Sequence, residues 1–404
     1  FKVELISLDK FNNLTETVHE QVELKVNEKV VKKGIAYKGR GEFFISFPQE
    51  GVFRVEAGGI LSNPVKVCDN PSGPYWGDIH SHTYISVDAM GNTPYLYARD
   101  VSCLDFAAAT EHGAGGLPSH WEQTLQWVKD NNRPGEFVTI LGLESGMGFM
   151  ASGRPHVNLY HYNDNAELLY GTENGNTDTE KDLFLKYLDD YNVIAQTHHS
   201  GWGFDMRMKY PDQMKLIEIY SMHGQSEMYD SDTPLSLDRQ RHRPGAGKKG
   251  PFYARDAWAL GKIWYCMGSS DNHFNQPGVH YNSVSGIYSD TLSRRAVLNA
   301  FNNGLCYATT GQRIILDFRV NGHPMGSNLK VGSKDKLHVE IEVHGTDSIE
   351  SVELFACPYI KGDSETPFGE WMFDKEDSRV EEALNASYTA FEKTNIGAMD
   401  ANLA

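Results

Sequence analysis

Alternating apolar and polar positions open the chain. Val22-Glu23-Leu24-Lys25-Val26 and Val52-Phe53-Arg54-Val55-Glu56 alternate, and Phe43-Phe44-Ile45-Ser46-Phe47 does so loosely. This period-two pattern predicts half-buried strands, and glycine and Asn-Pro turns separate them. Residues 1–72 therefore read as an N-terminal β-sandwich domain, with Asp69-Asn70-Pro71-Ser72-Gly73-Pro74 at its exit.

From residue 73 to 311 the pattern changes to short buried runs alternating with helical stretches. Strands are predicted at 104–110, 137–143, 156–160, 193–197, 216–220 and 264–268, and helices at 121–131, 180–190 and 293–303. Strand–helix alternation implies an α/β fold with parallel strands, closed as a barrel or open as a sheet. Residues 312–404 form a C-terminal β-rich domain, with strands expected at 314–320, 337–343 and 351–355 and a hairpin turn at Asn321-Gly322. No element is assigned beyond Asp374.

Composition narrows the function. A chain of 404 residues exceeds a single typical core, which agrees with several domains. The formal charge of −17 argues against a nucleic-acid partner, which needs a basic surface. No apolar run of membrane-spanning length occurs, so no membrane partner is expected. Cys68, Cys103, Cys266, Cys306 and Cys357 are widely spaced and odd in number, which excludes a disulfide framework and a zinc ribbon. Reduced thiols point to the cytoplasm. The chain starts at Phe1, so either a leader has been removed or the numbering begins inside a longer chain.

The chemistry lies in metal-ligand residue types at the ends of the predicted central strands. Gly77-Asp78-Ile79-His80-Ser81-His82-Thr83 comes first, followed by Asp88, Thr110-Glu111-His112, Glu144, His156, His198-His199 and Ser269-Ser270-Asp271-Asn272-His273. His80 and His82 are two residues apart, so on an extended strand both imidazoles leave the same face. Asp271 and His273 repeat that spacing. Asp78 and Thr83 are candidates to orient the imidazoles by hydrogen bonds. Glu144 ends the apolar run Val138-Thr139-Ile140-Leu141-Gly142-Leu143, where a carboxylate is costly unless paired or metal-bound, and a position bridging two cations fits it. His198 and His199 cannot both point inward from a regular strand; the Ser200-Gly201 turn favours His199. Imidazole and carboxylate donors suit Mn, Zn or Fe.

The order His-x-His, Asp, Thr-Glu-His, Glu, His, His, Asp-x-His resembles the polymerase and histidinol phosphatase (PHP) superfamily between Trp76 and about Gly311. Tyr75-Trp76-Gly77-Asp78-Ile79-His80 and Asp105-Phe106-Ala107-Ala108-Ala109-Thr110-Glu111-His112 resemble a branch of it that carries flanking β-domains. The resemblance implies a distorted seven-stranded (β/α) barrel holding two to three divalent ions. By its pattern His80, His82, Glu144 and Asp271 hold the first ion, and Glu144, His156 and His199 or His198 hold the second. Asp88, His112 and His273 hold the third. Two departures stand out: Thr-Glu-His replaces the commoner Thr-Asp-His, and His-His-Ser replaces the commoner His-Pro.

Other residues are candidates for handling a small-molecule substrate. His223 is read as a general acid or substrate contact with Glu227 as its partner, and Arg154 as an anion-binding group. Arg239, Arg241 and Arg243 lie in a polar insertion that could overhang the pocket. Trp202, Tyr220 and Phe274 flank ligand motifs and are candidates to line an organic-substrate pocket. No phosphate loop, nucleophile elbow or Cys-His pair stands out, so the expected nucleophile is a hydroxide shared by the cations. The expected activity is hydrolysis of a small organic phosphoester. The alternatives are hydrolysis of a carboxyl ester, carbamate or amide, and an inactive core within a glycan- or protein-binding module.

Overall fold

The computed structural model describes residues 1–404 apart from 70, 114–116, 147–155, 170–177, 230–248, 333, 356–358, 364, 367–369, 374–376, 390–393 and 396–404. The N-terminal region holds eight short strands: β1 (Lys2–Ile6), β2 (Glu20–Val26), β3 (Lys29–Ala36), β4 (Arg40–Phe44), β5 (Gly51–Phe53), β6 (Val55–Ala57), β7 (Ile60–Leu61) and β8 (Val65–Val67). They form small sheets ordered β3-β2-β6-β7, β1-β4 and β5-β8. The alternation in β2 works as expected: Leu24 and Val26 turn inward to join Val3, Phe43, Ile45, Phe53 and Val55 in a separate apolar cluster.

The central sheet is built from β9 (Tyr75–Asp78), β10 (Phe106–Ala109), β11 (Val138–Gly146), β12 (His156–His161), β13 (Val193–Thr197), β14 (Met214–Ser221), β15 (Gly224–Gln225), β16 (Tyr265–Gly268), β17 (Val284–Ile287) and β18 (Cys306–Thr309). Their order is β15-β14-β13-β12-β11-β10-β9-β17-β18, with β16 paired to β14. Helices α1 (Pro94–Asp100), α2 (Leu117–Asn131), α3 (Asp178–Tyr191), α4 (Ala254–Ala259) and α5 (Arg294–Asn302) connect these strands. In α2, Leu117, Trp121, Thr124, Leu125 and Val128 repeat at helical spacing and form its buried face. The fold is α/β, as the alternation predicts, and the sheet curls into a half-barrel.

The all-parallel expectation needs correction. β9, β10 and β11 run parallel, as do β13, β14 and β16. β12 is antiparallel to both of its neighbours, and β17 is antiparallel to β9 and β18. The β11–β12 connection spans residues 147–155 only. A parallel crossover takes about a dozen residues or more, so the chain must return antiparallel.

The curl brings the two flanks of the sheet together at one end. Beyond β9 and β16 the two segments meet in an isolated parallel bridge between Ser81 and Asn272, with Asp271 N–H donating to His80 C=O at 2.7 Å and His82 N–H to Asn272 C=O at 2.8 Å. The Ser285 hydroxyl on β17 bridges to Gly268 by accepting from its N–H at 3.0 Å and donating to its C=O at 2.7 Å.

The C-terminal region supplies β19 (Ile315–Val320), β20 (His323–Pro324) and β21 (Val339–His344) as an antiparallel sheet. The hairpin turn falls at Asn321-Gly322, whose φ values of 51° and 77° are the left-handed pair a tight turn demands. β22 (Glu353–Leu354) pairs with β23 (Thr394–Asn395), and α6 (Ser378–Thr389) lies in the stretch assigned no element from sequence. Val380 and Leu384 join α6 to the central core that also holds Ala254 and Ala257 of α4. No helix among the described residues is long and apolar enough to cross a membrane. Cys68, Cys103, Cys266 and Cys306 are free, and Cys357 lies outside the described residues.

Two tests follow from this packing. Gly77 lies under the Phe106 ring, where an added Cβ would come within 2.2 Å of it. Gly77→Ala should cost about 1–3 kcal/mol in urea denaturation, and an unchanged midpoint would contradict the packing. His161 is buried between Leu141 C=O at 3.1 Å and the Tyr187 hydroxyl at 2.8 Å, and burial pushes its pKa down to about 4. The unfolded imidazole binds a proton near pH 6.5 and the folded one only near 4, so this stability is present above 6.5 and lost as the pH falls towards 4. The wild-type loss over that window should exceed that of His161→Gln by on the order of 3 kcal/mol at most, and parallel curves would contradict it.

Candidate metal centre

The site forms where the parallel strands end and the curled flanks meet. The Asp78 carboxylate accepts from Ser270 N–H at 2.9 Å, Gly278 N–H at 2.7 Å and His80 N–H at 3.2 Å, which ties the end of β9 to the segment after β16. Burial pushes this carboxyl up to about 6 against the pull of those donors. Asp78 thus holds backbone rather than an imidazole. Thr83 donates to Glu111 at 2.7 Å instead of orienting a histidine.

Four side-chain atoms then face one another. Nε2 of His80 and Nε2 of His82 are each 3.4 Å from Glu144 Oε2 and 3.3 Å from Asp271 Oδ1. Both imidazoles are fully buried, and among the described residues neither Nε2 has a hydrogen-bond partner. The ligand atoms of His80, His82 and Glu144 all lie within 4.8 Å of one another, a spacing that could hold a metal ion, and Asp271 Oδ1 flanks both imidazoles.

Glu144 turns its other oxygen to a second group. Oε1 lies 2.6 Å from His156 Nδ1, 3.5 Å from His198 Nε2 and 3.6 Å from His112 Nε2. His198 and His199 are not residues of a regular strand: β13 stops at Thr197, and His199 has φ of 29°. The premise that only one of them can face the site therefore fails. Their rings stand 4.3 Å apart at 90°, and both fall with His156 in a group whose ligand atoms lie within 4.8 Å of one another. His82, His112 and His273 make another such group. Asp88 Oδ1 is 3.4 Å from His112 Nδ1 and 3.7 Å from His273 Nε2, on a side chain that is 60% exposed.

The electrostatics are those of buried anions among imidazoles. Burial alone would raise the Glu144 and Asp271 carboxyls, yet His198, His156 and His80 hold Glu144, and His80, His223 and His82 hold Asp271, well below the usual range. Burial pushes His199 well down, helped by His198 and His156. Burial also acts to lower His80, but Asp271 and Glu218 overcome it and hold His80 well above its ordinary value. Among the described residues, the ion pairs of Glu144 and Asp271 are all with histidines. The cluster is compatible with a metal site.

The remaining predicted residues surround this cluster. His223 Nε2 lies 3.0 Å from Asp271 Oδ2, while the expected partner Glu227 is held by Arg255 at 2.6 Å. Trp202 stacks on His199, with ring centroids 3.8 Å apart. Tyr220 is half-buried at the end of β14, and Phe274 is exposed beside His273. Arg154, Arg239, Arg241 and Arg243 lie outside the described residues.

Sequence reasoning missed three groups. Glu111 is fully buried and accepts from the Thr83 and Ser86 hydroxyls at 2.7 and 2.6 Å. With its proton committed to Glu111, the Ser86 oxygen can only accept from His82 Nδ1 at 3.0 Å, so that nitrogen carries the hydrogen. Glu218, the third group, touches His80. It interrupts the apolar run Leu216-Ile217-Glu218-Ile219, and the argument that singles out Glu144 applies to it equally.

No family model matches the chain. An uncharacterized protein of Chlamydia pneumoniae is 26% identical over 391 residues, covering 86% of this chain and 60% of its own length. Uncharacterized proteins of Chlamydia muridarum and Chlamydia trachomatis are each 24% identical with the same coverage. The chain thus spans about 60% of the length of the curated relatives it matches. Among solved structures, a two-domain protein of Bacteroides vulgatus containing a predicted PHP-like metal-dependent phosphoesterase is similar with a TM-score of 0.41 and 15% identity, over 72% of this chain and 92% of its own. A provisionally assigned metal-dependent phosphoesterase of Bifidobacterium adolescentis gives 0.32 and 11%, over 55% and 94%.

If Glu144 faces two ions and Asp88 one, Glu144→Gln should lose more bound metal than Asp88→Asn in elemental analysis. Equal retention in the two variants would contradict that division.

Proposed function

We propose that the chain is a metal-dependent hydrolase of the PHP type, acting on a phosphoester of a small organic molecule. The observation that carries the reading is the four-atom cage of His80, His82, Glu144 and Asp271, with two buried Nε2 atoms aimed at its centre. On this reading the curled sheet is the distorted seven-stranded barrel, closed through β9 and β16 where Asp271 N–H meets His80 C=O. The small sheets of the terminal regions, 1–72 and 312–404, are its flanking domains.

His80, His82, Glu144 and Asp271 would hold one divalent ion, and the second oxygen of Glu144 with His156, His198 and His199 another. His112 and His273, with Asp88, would hold a third. Bound Zn, Mn or Fe would acidify water and neutralise charge on the substrate. The protein's own part is to orient and exclude. Buried Glu144 and Asp271 keep the imidazoles aimed inward. His223, beside Asp271 Oδ2, would give a proton to the leaving oxygen. Trp202, stacked on His199, would offer an aromatic face to the organic part of the substrate, with Tyr220 and Phe274 as further candidates to contact it. Arg154 would meet an anionic group.

One observation favours a second reading, hydrolysis of a carboxyl ester, carbamate or amide. Among the described residues the ion pairs of the cluster's carboxylates involve no lysine or arginine, so a less charged substrate would also suit the pocket.

Protein reconstituted with Zn, Mn or Fe should retain roughly two to three ions per chain and hydrolyse para-nitrophenyl phosphate, with activity lost on chelation and restored by metal. Retention below about one ion after reconstitution would contradict the metal site. Turnover of carboxyl esters or carbamates alone would transfer the assignment to the second reading.

A further inference from the structure

We propose that Glu218 is a positioning residue for the metal centre: it fixes the ring and the tautomer of His80, and so the affinity of the cage for its ion. The proposal rests on the metal reading and names a residue outside the ligand set of that reading.

Glu218 sits on β14, below the cage, with a side chain 1% exposed. Its Oε2 lies 2.9 Å from His80 Nδ1, 2.7 Å from the Ser269 hydroxyl and 3.3 Å from the Gln196 side-chain nitrogen. The direction of each hydrogen bond can be worked out. The Gln196 oxygen is occupied, accepting from the Tyr160 hydroxyl at 2.5 Å and from the Asn158 side-chain nitrogen at 3.0 Å. The Gln196 NH₂ group must therefore be the end that meets Glu218. A carboxylate oxygen only accepts, so Oε2 is the terminus of the whole chain of donors.

His80 Nδ1 is then a donor as well, so when the ring is neutral Nε2 is the nitrogen left to bind a cation beside Glu144 Oε2 and Asp271 Oδ1. His82 reaches the same tautomer through Ser86 and Glu111. The carboxylate acts directly in one case and through a hydroxyl in the other, and both imidazoles present Nε2 to one centre. A carboxylate behind a ligating imidazole fixes its orientation and raises its basicity, and losing such a partner costs about 10–100-fold in metal affinity.

The test uses the full chain stripped of metal and titrated with Zn(II) against a chromophoric chelator. Wild type, Glu218→Ala, Glu218→Gln and His112→Ala are compared, with thermal unfolding of each metal-free protein alongside. Glu218→Ala should weaken one class of site about 10–100-fold and leave the others within about twofold. Glu218→Gln keeps an oxygen for His80 Nδ1 and should recover part of that loss. His112→Ala should weaken a different class. Unchanged affinities in Glu218→Ala would overturn the proposal. So would a uniform fall at every site together with a lowered metal-free melting temperature, the mark of a purely structural role. A wild type that takes up no zinc would remove the metal reading itself, and with it this inference.

Discussion

Glu144 and Asp271 are carboxylates taken almost wholly out of water, and among the described residues no lysine or arginine pairs with either. An unpaired buried carboxylate costs several kcal/mol after relaxation, so positive charge must reach this pocket from imidazoles, from ions or from both. The rest of the site is an answer to that constraint. His80, His82, His112, His156, His198 and His273 arrive from the ends of β9, β10, β12, β13 and β16, and each brings a nitrogen within reach of one of the two carboxylates. Protons satisfy the need when no cation is present, which is why His80 binds its proton so firmly. Divalent ions compete for the same nitrogens, so metal uptake and proton release are linked.

The backbone accepts strain to meet this demand. His199 and Asp271 have φ values of 29° and 52°, in the left-handed region that side-chain-bearing residues seldom occupy. Such positions cost on the order of 1–3 kcal/mol each and persist only when their surroundings hold them. Asp271 is held by its own N–H on the His80 carbonyl, the bond that also joins the two flanks of the curled sheet. At His199 the turn breaks the strict alternation of β13 and lets two adjacent imidazoles face one cluster. The fold and the site are in this sense a single device. The curl brings the strand ends together, and the side chains that meet there include those that close it.

Much of this could be read from the chain, and the exceptions have physical reasons. The strands at 106–109, 138–146 and 193–197 are buried apolar runs, and the His-x-His and Asp-x-His spacings gave one-sided pairs without knowledge of their partners. Strand direction was harder, because periodicity says nothing about which way a neighbour runs. Only the short 147–155 connection betrays the reversal at β12. α1 and α4, of seven and six residues, are too short to show a period. Glu111 and Glu218 carry no ligand spacing of their own: each meets an imidazole from behind, through Ser86 in one case and directly in the other. The partner of His223 was sought along the chain at Glu227, but the curl supplied Asp271.

The proposed function requires that the cage of His80, His82, Glu144 and Asp271 hold a divalent ion. Crystals of zinc-loaded protein measured on both sides of the zinc absorption edge test it most directly. Zinc held there gives an anomalous peak about 2.0–2.2 Å from His80 Nε2, His82 Nε2, Glu144 Oε2 and Asp271 Oδ1. Strong anomalous peaks elsewhere on the molecule, with none between these four side chains, would contradict it.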